Sequence, residues 1–323
     1  VGKFATALEL VKWLKCKSPD SCDGSCSACK LIAHLDHPDI EVIVPMPKTV
    51  SDSPEMTSQQ MAEVARDPFA ELVFDKVANI GIDQIRQLSE KLFLAPTSDG
   101  GRWAIIRDAE AMTIEASNAF LKTLEEPPDD AHIILTSSHP DSLLPTIRSR
   151  TQPIRFTRLS RRQVVEILIS RGVSEDDAEK VSYYADGSIT AAIWASGESG
   201  AEIMGLGEEL WVCLFSRNDA LLLDFTEKIG RDRSLSEATI KAAISLIRDH
   251  LLFQIGVGDI AANKNTAARL ERAAVKYADP EPLGRTIGFL EKKAYELRYN
   301  PQYELFWMDL IIRGRALIQG KTL

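Results

Sequence analysis

No stretch of this 323-residue chain comes near the ~18 uninterrupted apolar residues that a membrane-spanning helix needs, so no membrane partner is expected. Nor is there an excess of positive charge. Lys and Arg number 38 against 47 Asp and Glu, a formal charge of -9 with a pI of about 5.2. Such a chain as a whole repels a phosphate backbone, which argues against an autonomous nucleic-acid binder. Val1-Gly2-Lys3-Phe4 has neither the basic nor the apolar region of a secretory signal, and a cytoplasmic location is the expectation. Because the chain opens on Val rather than Met, further residues are expected before it. Internal repeats are not evident.

Cysteine is scarce and uneven. Four of the five (Cys16, Cys22, Cys26, Cys29) share one 14-residue window, while Cys213 sits alone in the apolar run Trp211-Val212-Cys213-Leu214-Phe215 and reads as core. A secreted disulfide scaffold would be short and would spread its cysteines, so the cluster reads as metal-binding in a reducing compartment. The spacing Cys16-x5-Cys22-x3-Cys26-x2-Cys29 supplies four thiolates, enough to close a tetrahedral structural Zn²⁺ site with no open position for catalysis. Unmetallated thiols, or His34 or His37 in place of one cysteine, are the alternatives.

The length is about twice a ~150-residue domain, so two or three folded units are expected. The first half alternates helical periodicity with short β-branched runs. Phe4 to Leu14 reads as a helix, Ile40 to Val44 as a strand, 46–56 as a loop because of its prolines with Ser, Thr and Asp, and Ile80 to Leu94 as a helix. Trp103 to Ile106 reads as a buried strand, Thr113 to Glu126 as a helix ended by Pro127-Pro128, Ile133 to Thr136 as a strand and Ile154 to Phe156 as another. Strands separated by helices imply a parallel, doubly wound α/β sheet whose ligands sit beyond the strands' carboxyl ends. After about Arg158 only helices are predicted, including one over 266–277, with a linker at 197–200. The 46–79 segment is longer than a plain connection requires.

The blocks Ile105-Ile106-Arg107-Asp108-Ala109-Glu110-Ala111-Met112, Ser117-Asn118-Ala119-Phe120-Leu121-Lys122-Thr123-Leu124-Glu125-Glu126-Pro127-Pro128 and Leu143-Leu144-Pro145-Thr146-Ile147-Arg148-Ser149-Arg150 closely resemble the bacterial DNA polymerase III clamp-loader subunits of the AAA+ superfamily. The resemblance is weaker toward the end, where Asn300-Pro301-Gln302-Tyr303-Glu304-Leu305 looks like the family's closing motif. It implies an AAA+-type α/β domain with a four-cysteine zinc module over 1–157, a small helical lid domain over 158–198 and an all-α collar domain over 201–323. The zinc module of the family usually has two successive Cys-x2-Cys steps, from which the residues between Cys22 and Cys26 depart.

Within that family, ATP-hydrolysing subunits (gamma and tau) differ from the ATPase-like delta prime branch at three places. A working P-loop needs backbone N–H groups and a Lys on the phosphates, and a Ser or Thr hydroxyl on Mg²⁺. Here Lys3, of a degenerate loop, is followed by Phe4, which has no oxygen to offer. The Asp and Glu that end the Walker B strand are replaced by Arg107, which repels the cation, and by the shorter Asp108. The phosphate-sensing Arg of the sensor-2 helix is Thr190, in Gly187-Ser188-Ile189-Thr190. The three together imply no ATP hydrolysis, and an active gamma/tau-type ATPase is the alternative. Ser149-Arg150-Thr151 matches the family's Ser-Arg-Cys motif, with Thr151 for Cys, so the resemblance makes Arg150 a trans-acting arginine finger. The bland alternative is that Arg148, Arg150, Arg155, Arg158, Arg161 and Arg162 form a solvated basic face. Thr136 matches the sensor-1 position. The implied partners are gamma or tau and delta subunits, with the sliding clamp and primed DNA within the complex.

Overall fold

The computed structural model describes residues 2–18, 22–69, 72, 74, 76–185, 187–197, 200–257, 279–299 and 301–321. They fall into two compact units, Gly2–Thr157 and Arg158–Leu323.

Three short apolar runs of the first unit become strands β1 (Ile40–Ile43), β2 (Arg102–Ile106) and β3 (Ala131–Leu135). They form one parallel sheet in the order β1-β2-β3, with Ile43 level with Ile106 and Ile106 level with Leu135. The central strand is buried at all five positions, as a parallel strand covered on both faces must be. The period of two divides its side chains. Trp103 and Ile105 join the core with Phe4, Leu8, Val11 and Ile32, from helices α1 (Lys3–Lys15) and α2 (Ser27–Ala33). Ala104 and Ile106 pack with Ile85, Leu88 and Phe120, from α5 (Ile82–Leu92) and α6 (Ile114–Glu125). Thr113 caps α6 by accepting from the Ala116 N–H at 3.2 Å, and the helix stops ahead of Pro127-Pro128.

Two expectations are corrected. The stretch 46–56 is not a loop, for it holds α3 (Lys48–Ser51) and the start of α4 (Pro54–Arg66). Pro54 stands in the first turn, where its missing N–H costs nothing, and the Ser53 hydroxyl accepts from the Met56 N–H. Ile154 to Phe156 is not a strand. No neighbouring strand pairs with it among the described residues, and Ile154 is 80% exposed.

The second unit is helical: α8 (Arg161–Ser170), α9 (Glu175–Tyr184), α10 (Ile189–Ala195), α11 (Gly200–Phe215), α12 (Asp219–Ile229), α13 (Arg233–Gln254), α14 (Pro280–Glu296) and α15 (Tyr303–Ile318) follow the short α7 (Pro145–Arg148) of the first unit. Its core is built on Leu210, Phe225, Ile247, Leu290 and Trp307, with the Phe225 ring edge-on to Trp307. Arg315 stitches two turns of chain to it, donating to the Cys213 and Asn218 carbonyls and pairing with Asp219 at 2.7 Å. Cys213 is buried in this core, as read. The helix expected over 266–277, residues 198–199 of the expected linker and Asn300 lie outside the described residues. No helix among the described residues is long and apolar enough to cross a membrane.

Candidate functional site

The carboxyl end of the sheet faces the N-terminus of α1. Gly2, in the left-handed region at φ 67°, leads into that helix, and the ring of Phe69 lies against it: a Cβ added to Gly2 would stand 3.6 Å from Phe69 Cε1. Lys3 reaches across to donate to the Ser138 hydroxyl at 3.5 Å. Phe4 is buried, and the guanidinium carbon of Arg107 lies 5.1 Å from its ring centroid. The two residues expected to depart from the P-loop and Walker B patterns therefore form one contact, a cation–π pair of about 1–2 kcal/mol where it is shielded from water. Arg107 also pairs with Asp108 Oδ2 at 3.5 Å. A fixed positive charge held here opposes a divalent cation at the same place.

Asp108 adopts a left-handed conformation, φ 50° and ψ 54°, which an Asp tolerates better than most residues. Thr136 holds this turn: its hydroxyl accepts from the Asp108 N–H at 3.3 Å and its carbonyl from the Ala109 N–H at 2.8 Å. The residue at the sensor-1 position thus has a structural task. Glu110 was not singled out from the sequence, although an acid just past β2 at the sheet's carboxyl end was the signal to follow. Its carboxylate accepts from the Ser138 N–H at 3.0 Å and faces His139 Nδ1 at 3.5 Å. Burial alone would raise its pKa. The hydrogen bonds from His139 and neighbouring N–H groups outweigh burial and bring it down to about 2.

Arg150 follows α7 and pairs with Glu125, the last residue of α6, at 2.6 Å, while also donating to the Thr146 carbonyl at 3.1 Å. Both partners are part-exposed, so the pair is of the kind that exchanges readily. Several other arginines of the basic run make ordinary surface pairs: Arg148 with Asp141, Arg161 with Glu179 and Arg162 with Glu166. Thr190 belongs to the second unit. There Gly187, at φ 72°, has no room for a side chain, since a Cβ would come within 2.5 Å of the Leu159 carbonyl oxygen.

The four cysteines converge. Cys16, Cys22, Cys26 and Cys29 bring their sulfurs within 4.8 Å of one another, with Cys16–Cys26 at 4.0 Å and Cys22–Cys29 at 3.9 Å. Zn–S bonds of about 2.3 Å in a tetrahedron place sulfurs about 3.8 Å apart, so the donor set fits Zn²⁺ in size and chemistry. The Cys29 N–H points at Cys26 Sγ at 3.4 Å. Backbone N–H groups of Cys26 and Gly24 lower the Cys22 thiol to about 6, whereas burial pushes Cys29 up. His34 is exposed at the end of α2. His37 is buried, and its Nδ1 accepts from the Asp39 N–H at 3.2 Å. Neither imidazole belongs to the sulfur cluster.

The first unit thus combines a parallel α/β sheet, a four-thiol loop after its first helix and, at the sheet's carboxyl end, Lys3, Phe4 and Arg107. Residues 1–160 match the family described as DNA polymerase III, delta subunit. The DNA polymerase III subunit delta' of Yersinia pestis is 32% identical over 152 residues, 46% of this chain and 36% of that protein. Its counterpart in Pseudomonas aeruginosa is 34% identical over 152 residues, 46% and 38% of the two chains. The matched stretch thus spans little more than a third of either relative. The delta' subunit of Bacillus subtilis (strain 168) is 23% identical over 297 residues, 90% of this chain and 81% of that one.

Proposed function

We propose that this chain is a non-hydrolysing, ATPase-like delta prime subunit of a bacterial DNA polymerase III clamp loader, which helps load the sliding clamp on primed DNA. The observation that carries this is Arg107 stacked on Phe4, because it puts a fixed cation and an aromatic ring where a metal and its hydroxyl ligand would be needed. The chain's part in hydrolysis is then lent to a neighbour. Arg150 serves the ATP of an adjacent gamma or tau subunit as a finger, exchanging the Glu125 carboxylate for a γ-phosphate as charge develops there. Residues 158–198 act as a lid-like helical domain and 201–323 as the collar that assembles the ring with the gamma or tau and delta subunits. Leu305 and Ile312, exposed seven residues apart on α15, support a protein-binding face there. Structural Zn²⁺ held by Cys16, Cys22, Cys26 and Cys29 keeps the loop between α1 and β1 folded.

Reconstitution with candidate gamma and delta partners tests the reading. Arg150→Ala is expected to leave assembly on gel filtration intact and to slow ATP turnover at the adjoining site by ~10³-fold. An unchanged clamp-stimulated ATPase sinks the finger. Turnover by the chain alone that disappears with Lys3→Ala would instead favour a gamma/tau-type ATPase.

A further inference from the structure

The loop that carries all four cysteines leaves α1 after Lys15 and returns to the sheet at Asp39. These two residues meet at its base, with Lys15 Nζ 3.1 Å from Asp39 Oδ2 and side chains 1% and 0% exposed. From this we infer that the Lys15–Asp39 pair is the positioning element of the metal centre, a buried clasp that fixes the geometry in which the thiols converge. The inference rests on the four-thiolate zinc reading above.

The clasp is fully satisfied. Asp39 Oδ1 accepts from the N–H and hydroxyl of Thr97 at 2.7 and 2.9 Å, and Oδ2 from the N–H and hydroxyl of Ser98 at 3.0 and 2.6 Å. Lys15 also donates to the Ser98 hydroxyl at 3.2 Å. The main chain of Asp39 is anchored too, its carbonyl accepting from the Trp103 N–H at 2.8 Å at the start of the β1–β2 pairing. One side of the metal loop is therefore tied to the sheet and the other to the end of a helix. Lys15 is the residue before the first ligand, Cys16, so any shift of its backbone is passed directly to that sulfur. The same two acceptor atoms hold the turn between α5 and β2, against which the end of α1 packs: a Cβ on Gly100 would meet the Leu14 carbonyl at 3.7 Å. A metal site and a clasp that close the same loop share its closure entropy, so each favours the other. Asp39 touches no ligand atom and acts through the chain.

The test is competition for Zn²⁺ by a chromophoric chelator on the whole chain. Asp39→Asn and Lys15→Met each leave one half of a buried pair unmatched, and both are expected to give up zinc at least ~10-fold more readily, the range found for residues that support metal ligands. Leu88→Ala, a core truncation in α5 that lowers general stability, should hold zinc as the unaltered chain does. In the unaltered chain, chelation should speed amide hydrogen exchange at Thr97 and Ser98, a readout that stands even where a variant fails to fold. An unaltered chain that binds no zinc refutes the four-cysteine site itself. Zinc held by the unaltered chain, with variants equal to it or exchange at 97–98 unmoved by chelation, overturns the clasp.

Discussion

The two ends of α1 meet opposite fates. At its N-terminus, Phe4 and Arg107 close on each other and Phe69 rests against Gly2, so this end is covered by the protein's own side chains. At its C-terminus, Lys15 and Asp39 close the base of a loop whose four sulfurs converge on a position that could hold a metal. One end has internal partners for its charge; the other concentrates thiols that need an outside ion. One helix thus carries two opposite local chemistries at its two ends.

Removing the metal should show the largest difference. Chelation, or Cys29→Ala, is expected to cost about 3 kcal/mol or more, a fall of roughly 10 °C in melting temperature. ATP added at the other end should shift melting not at all, since a ligand stabilises only what it binds. A melting rise with ATP comparable to the fall on zinc removal would erase the contrast.

Each end also holds a buried carboxylate below its ordinary range, Glu110 beside Ser138 and Asp39 at the clasp. For Asp39, burial works against ionisation, and the Ser98, Thr97 and Lys15 hydrogen bonds overcome it. A depressed folded pKa means that the contribution is complete above the unfolded value, near 4, and is lost as pH falls toward the folded one. For Glu110, lowered from 4.5 to about 2, that contribution is on the order of 2–3 kcal/mol. Urea melts of zinc-free protein, stepped from pH 5 to pH 2, should lose stability across this window. Glu110→Gln should flatten the loss, and a slope equal to that of the unaltered chain would count against its depressed pKa.

The smallest effect belongs to the stacked pair. Arg107→Met keeps most of the bulk over Phe4 and removes the charge, for an expected cost of about 1 kcal/mol in a thermal or urea melt. A change of several kcal/mol would mean that Arg107 braces more than the ring.

The knuckle was legible because its ligands lie within 14 residues and spacing alone announces them. That Phe4 and Arg107 are one contact was not, since they lie on separate elements and only the register of β2 beside α1 brings them together. The clasp left a trace that went unread: Lys15 continues the buried face of α1 after Phe4, Ala7, Leu8 and Val11, and a lysine in that row needs a buried acid. The loop assigned to 46–56 came from counting prolines as breakers without asking which of them follows a capping serine. The strand assigned to 154–156 came from β-branched residues that no neighbour covers.

The excursion between β1 and α5 is closed at its root, where Met46 and Asn79 exchange backbone hydrogen bonds of 3.1 Å in both directions. That knot fixes the backbone where the excursion leaves and returns, while Val50 of α3 and Val64 of α4 bury in the same core as Trp103 and Ile105. The exposed faces of α3 and α4 are free to vary, provided that apolar side chains keep the places of Val50 and Val64. Variation is thereby channelled to the outer faces of two helices whose inner residues remain tied to the sheet.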